Sequence, residues 1–220
     1  MPFILGLTGS IAMGKSTASS IFRAYGVPVF DADAAVHDLF IPGGAAVRPV
    51  LDAFPACGSL EEGVDRKALG QAVFDNPEAL RRLETIVHPL VRATQRRFLK
   101  QQMAARRPLA VMDIPLLYET GGDKLMDAVA VVSAPAFLQA QRVLRRPSMS
   151  RQRLDAILAR QLPDRLKRKR ADLVIPTGLG KRLSIQAISS IIDKVRQRPA
   201  RAWPDRWATR RQTGHEDQPE

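Results

Sequence analysis

Residues 5–20, LGLTGSIAMGKSTASS, decide how this chain is read. An apolar run ends in a Thr-Gly-Ser turn, and Gly14-Lys15-Ser16-Thr17 precede what reads as a helix. From Gly9 to Ser16 the residues fit G-x-x-x-x-G-K-[ST] in full, after a predicted strand, as the motif requires. Glycines let such a loop take backbone angles closed to other residues and bring amides close to an anion. Successive N–H groups from Ile11 to Thr17 are expected to form a concave anion site at the positive end of a helix. Lys15 adds a full charge where β- and γ-phosphates would lie, and the Ser16 hydroxyl is a ligand type suited to Mg2+. The pattern predicts a nucleoside triphosphate site using Gly9, Ile11, Ala12, Met13, Gly14, Lys15, Ser16 and Thr17.

Outward from this loop, apolar runs at 3–7, 27–30, 109–113, 128–132 and 173–175 read as buried strands. Helical stretches separate them, an alternation that builds a parallel sheet with helices on both faces. The expected class is α/β, with a five-stranded parallel sheet. Asn76-Pro77-Glu78 offers an N-cap, a first-turn proline and a first-turn acid. Ser150 and Ser184 are further expected N-caps. Residues 34–103 separate strands two and three by too much chain for a simple crossover, so they read as a helical insertion. Gly43-Gly44 and residues 55–58 mark turns within it. A second insertion, 141–170, reads as a lid, leaving 1–33, 104–140 and 171–198 as the core. Residues 199–220 read as a disordered polar tail that Trp203 and Trp207 could dock loosely on the body, with no other job assigned to them.

The net charge is +12. Between Arg142 and Arg182 there are 13 basic residues against three acidic ones, so one segment carries +10 of that balance. Such charge draws phosphorylated small molecules or nucleic acid, and about half of it is expected to be a solvated helix face. No aromatic residues interleave with the run, which argues against nucleic acid. The single cysteine, Cys57, excludes an internal disulfide and fits a reducing, cytoplasmic compartment. No export signal or membrane-spanning stretch is read.

Phosphate loops serve many chemistries. A guanine-specific switch would carry N-K-x-D, but the only asparagine is Asn76, followed by proline. The strand LAVMD ends at Asp113 without the Asp-Glu pair favoured by motors. A small-molecule kinase is the leading class. Its carboxylate is sought in VFDADAAVHDLF, where Asp31 and Asp33 follow the second strand at the sheet edge shared with the phosphate loop. Either could instead cap the next helix.

GLTGSIAMGKST, GVPVFDADAAVH, IVHPLV, DIPLLYE and ILARQ…KRKRADLVI together resemble the dephospho-CoA kinase family over about residues 3–195. The resemblance implies a three-layer, phosphate-loop fold like that of nucleoside-monophosphate kinases. It also implies transfer of the γ-phosphoryl of ATP to the ribose 3′-hydroxyl of dephospho-CoA, with Mg2+. It gives Asp33 the hydroxyl proton and Asp31 a supporting part. Arg142 and Arg146 would meet ATP phosphates, joining Lys15 and Asp33 in the catalytic set. Thr177 and Gly178 would lie by adenine, and residues 34–103 would receive the acceptor. Thr8, His88, Pro89, Leu116 and Leu117 would line or support that acceptor cleft, although His88 taken alone reads more often as a structural histidine. Asp113 is a candidate ligand to a Mg2+-bound water, or a packed strand end. The implied partners are ATP and dephospho-CoA, with no nucleic acid or membrane and a monomeric enzyme.

Two positions depart from the family's pattern. Arg146 meets Pro147 where relatives carry Arg-Asp. Pro176, ahead of Thr177, cannot donate a backbone hydrogen bond.

Overall fold

The computed structural model describes residues 1–208 apart from Asp75 and Ser148. In chain order, β1 (Phe3–Thr8) runs through the glycine loop into α1 (Lys15–Ala24), and β2 (Val29–Asp31) into α2 (Ala32–Phe40). Next come α3 (Val47–Ala53), a ribbon of β3 (Gly58–Ser59) and β4 (Gly63–Val64), α4 (Arg66–Phe74) and α5 (Pro77–Ala104). The chain re-enters the core as β5 (Leu109–Asp113) and β6 (Ala128–Ser133), then forms α6 (Ala136–Leu144), α7 (Arg151–Ala159) and α8 (Asp164–Arg170). It closes with β7 (Leu173–Pro176), α9 (Lys181–Arg196) and a 3-10 turn at Asp205–Trp207.

The five long strands make one parallel sheet in the order β2-β5-β1-β6-β7. Because alternate side chains of a strand face opposite ways, β1 feeds two cores. Phe3, Leu5 and Leu7 pack with Ile21 and Phe22 of α1 and with Ile188, Ile191 and Ile192 of α9. Ile4 turns to the other face, with Met112, Val131, Leu99 of α5 and both tryptophans. β1 is buried along its length, as a central strand with both faces covered must be.

A third apolar cluster lies in the insertion, where Leu39, Phe40, Val47, Val50, Leu69 and Val87 pack together. α5 joins two clusters, with Val87 in the insertion's and Leu99 under the sheet. Asn76 caps α5 by accepting from the Glu78 and Ala79 amides. Cys57 is buried in the third cluster, and burial, with Asp65 nearby, pushes its thiol up from the ordinary value. Among the described residues, no helix is long and apolar enough to cross a membrane.

Two expectations need correction. Ser184 does not start a helix: α9 begins at Lys181, and the Ser184 hydroxyl donates to the Pro176 carbonyl at 2.7 Å. The tail is docked as far as residue 208. Asp127 accepts from the Arg201 and Ala202 amides at 2.6 and 2.8 Å, while its other oxygen accepts from Ile4 at 2.7 Å. Trp203 and Trp207 are 7% and 5% exposed. Residues 209–220 of the expected tail lie outside the described residues. Within the basic run, Lys167 is wholly buried.

Candidate functional site

The C-terminal ends of parallel strands share one edge of the sheet, where ligands bind in such folds. Here that edge opens into a cleft of about 800 Å3. Its floor is the glycine loop. Gly9 passes close to β6, so that a Cβ there would sit 2.7 Å from the Val132 carbonyl oxygen. Gly14 has φ +91°, a left-handed angle that other residues rarely adopt, and it is the N-cap of α1. Ala12 takes φ +58° without being glycine. No side chain caps α1. The first amides of a helix have no earlier turn to bond to, so its positive end is presented to the cleft.

Gly9, Ile11, Ala12, Gly14, Lys15, Ser16 and Thr17 line the cleft, together with Asp33, Arg142, Arg146, Thr177 and Gly178. Met13 does not. Its side chain is buried, its carbonyl accepts from the Thr177 hydroxyl at 2.5 Å, and its sulfur accepts from the Ala134 amide. The expected run of free amides is also interrupted. Ile11 N–H donates to Oε1 of Gln161 at 3.1 Å, and Met13 N–H donates to the Ser10 carbonyl. Gln139 completes the hold on Ile11 by donating to its carbonyl at 2.9 Å.

Lys15 makes an ion pair with Asp113, the last residue of β5. Asp113 is 2% exposed, and its second oxygen accepts from Ser19 of α1 at 2.5 Å. The strand-end aspartate therefore fixes the lysine on one side and the helix on the other. Ser16, a cleft residue, and Asp113 are among the side-chain oxygens near the loop, with Ser10, Thr17 and Asp33 also lining the cleft. Among the described residues no group of three or more His, Cys, Asp or Glu could hold a metal. Such a sparse donor set suits Mg2+, which keeps several waters and draws other ligands from substrate phosphates.

Asp31 and Asp33 part company. Asp31 is the N-cap of α2, accepting from the Ala34 amide at 3.1 Å, and it faces Arg23 at 3.9 Å. Asp33, in the first turn of the same helix, reaches the cleft.

Arg142 bridges two walls of the cleft, donating to the Ala12 carbonyl at 3.3 Å and the Thr177 carbonyl at 2.8 Å. The segment from α7 to α8 is tied down by Glu119, in the loop after β5. Glu119 accepts from the Leu162 amide at 2.8 Å and pairs with the buried Lys167 of α8 at 2.8 Å. Burial pushes the Glu119 carboxyl up, but the Lys167 ammonium and backbone hydrogen bonds outweigh it and hold the carboxyl below its ordinary value.

Beside the cleft lies a second cavity of about 390 Å3, walled by α2, α5, the loop after β5 and Trp207. His88 lines it. The other expected acceptor residues line neither cavity. Thr8 is fully buried and donates to the Pro115 carbonyl at 2.9 Å. Leu117 is fully buried under the sheet, Leu116 is exposed on the loop, and Pro89 sits exposed inside α5.

Sequence reasoning missed Gln161, Lys181 and Leu138 in the cleft and Gln95 in the second cavity. Gln161 stood within the quoted ILARQ, and Lys181 follows the glycines after β7. Gln95 had no signal, being one polar residue on a long helix.

A family model of dephospho-CoA kinase matches residues 3–179. A dephospho-CoA kinase of Paramagnetospirillum magneticum is 63% identical over 75% of this chain and 77% of its own. One from Rhodospirillum rubrum is 54% identical over 88% of this chain and 92% of its own. A solved dephospho-CoA kinase from Campylobacter jejuni superposes with a TM-score of 0.59 at 27% identity, covering 87% of this chain and 96% of that one. With the cleft built on a complete phosphate loop and these matches over most of its length, the chain belongs to the dephospho-CoA kinase family.

Proposed function

We propose that the cleft binds ATP and passes its γ-phosphoryl group to the ribose 3′-hydroxyl of dephospho-CoA. The observation that carries this reading is Asp33 lining the same cleft as Lys15 and the open end of α1. In the transfer, a bond forms between the 3′-oxygen and the γ-phosphorus while the bridge to the β-phosphate breaks. The hydroxyl proton goes to the Asp33 carboxylate, and ADP leaves.

Phosphoryl transfer is loose, so the protein's work is alignment and charge stabilisation. Lys15 and the first amides of α1 would hold the β- and γ-oxygens. Asp113 sets the lysine's position, and Arg142 and Arg146 add positive charge from the lid. Ser16, with Asp113 acting through water, would hold Mg2+, which when bound neutralises the phosphate oxygens. Thr177 and Gly178 would border the adenine of ATP, and His88 the acceptor. Asp31 supports Asp33 indirectly, by capping the helix that carries it. On the same reading the enzyme works in the cytoplasm as a monomer, its one cysteine in keeping with a reducing compartment.

The test is a coupled assay of ATP consumption with dephospho-CoA, AMP, shikimate or no acceptor. Turnover with dephospho-CoA alone is expected. Equal turnover with AMP or shikimate would overturn the acceptor assignment.

A further inference from the structure

Gln95 is buried on α5, at 7% exposure, and lines the second cavity. Among the described residues, its amide has no hydrogen-bond partner in the protein. That amide is not sealed from the cavity's solvent, so its donors and its acceptor are free to pair with a polar edge that enters there. The surrounding wall is otherwise mostly apolar, with Ala32, Phe40, Val91, Ile114 and Trp207 contributing. Trp207 is held in place, its indole N–H donating to the Leu125 carbonyl at 2.8 Å. It also lies outside residues 3–179, the stretch that the family model matches.

The cavity begins one residue from the reactive carboxylate. Ala32 and Ile114 line it, while their chain neighbours Asp33 and Pro115 line the nucleotide cleft. An acceptor whose 3′-hydroxyl reaches Asp33 carries its purine base on the same ribose, adjacent to that point. Its pantetheine arm starts only beyond two charged phosphates. A flat ring with donor and acceptor atoms on one edge matches a mostly apolar chamber in which the Gln95 carboxamide offers both kinds of partner beside Glu84, His88 and Arg92. Glutamine reads adenine in this way through two parallel hydrogen bonds.

We infer that the second cavity takes the adenine base of the acceptor, with Gln95 pairing to the base edge and Trp207 forming a wall against it. This rests on the proposed function and specifies which part of the acceptor the cavity recognises. Gln95 and Trp207 are then specificity-determining residues for the acceptor, not for ATP.

The experiment measures binding of dephospho-CoA and of adenosine by calorimetry, with the nucleotide cleft filled by a non-hydrolysable ATP analogue. Gln95→Leu is expected to weaken both by the same factor, roughly 5- to 150-fold, the range for a lost bidentate pair. Gln95→Met serves the same purpose where leucine disturbs the packing. Trp207→Ala should weaken both ligands as well. Trp203→Ala, whose ring packs 6.5 Å from that of Trp207 without lining the cavity, should weaken both by clearly less than Trp207→Ala. Weakening of dephospho-CoA alone, of neither ligand, or to the same extent in both tryptophan variants overturns the inference, as does a wild type that does not bind adenosine. Wild-type turnover of dephospho-CoA is measured first. Its absence defeats the functional reading, whereas turnover with unaltered Gln95→Leu binding defeats this inference alone.

Discussion

The two cavities are built on opposite principles. The nucleotide cleft has a polar, local floor: eight of its lining residues fall from Gly9 to Thr17. The chemistry of that floor is backbone amides, one lysine and the buried aspartate behind it. The neighbouring cavity is mostly apolar and collects side chains from segments as distant as Ala32 and Trp207. A site made from consecutive backbone groups needs a particular local sequence, because the loop's angles and its helix start are local properties. A cavity made from packed side chains asks only for suitable volume and polarity, which many sequences supply. The first is therefore written as a motif and the second is not.

Lys15→Ala strikes the local site hardest. A cation on the transferring phosphoryl group is worth roughly 10^3–10^5 in turnover, and steady-state kinetics should show a loss in that range. The variant also strands the buried Asp113 charge beside Ser19, so its thermal midpoint should fall. Asp33→Asn comes next, with an expected drop in kcat of roughly 10^2–10^4 and little change in KM for ATP. A larger loss from Asp31→Asn would reverse the roles given to the two aspartates.

Glu119→Gln leaves both cavities chemically intact but leaves the buried Lys167 without its counter-charge. Breaking a buried pair from one side costs about 3–5 kcal/mol, readable by urea denaturation. The Glu119 carboxyl titrates below its ordinary value in the folded state. The unfolded chain therefore takes up this proton first as pH falls. The stabilisation from Glu119 is complete above about pH 4.5 and is lost as pH drops through the lower folded value. The variant should show a shallower acid limb in stability against pH. Asp31→Ala has the smallest effect: loss of a cap, about 1 kcal/mol, with kcat reduced far less than by Asp33→Asn.

These contrasts explain what the sequence made legible. Apolar runs located all five sheet strands because a sheet covered on both faces buries its central strands β1, β5 and β6 along their length and its edge strands in part. The second was placed at 27–30 and lies at Val29–Asp31, since Val27 is buried in the core without joining the ladder. Asn76 and Ser150 were readable as caps because capping is a contact within three residues. Ser184 misled because the same hydroxyl, one turn into α9, bonds a distant carbonyl. The two tryptophans hinted at a loosely docked tail, but its anchor was hidden because Asp127 lies some 75 residues earlier. Lys167 looked like surface in a run of cations, and only the fold brings Glu119 to it.

Ile11 offers a last consequence. A main-chain nitrogen carries one hydrogen, and here it is spent on Gln161, which follows α7. Withdrawing that glutamine would free a donor in the loop, and its return would take the donor back. The number of hydrogens the loop can turn toward an anion is thus a dial worked from the segment above it, and not a constant of the motif.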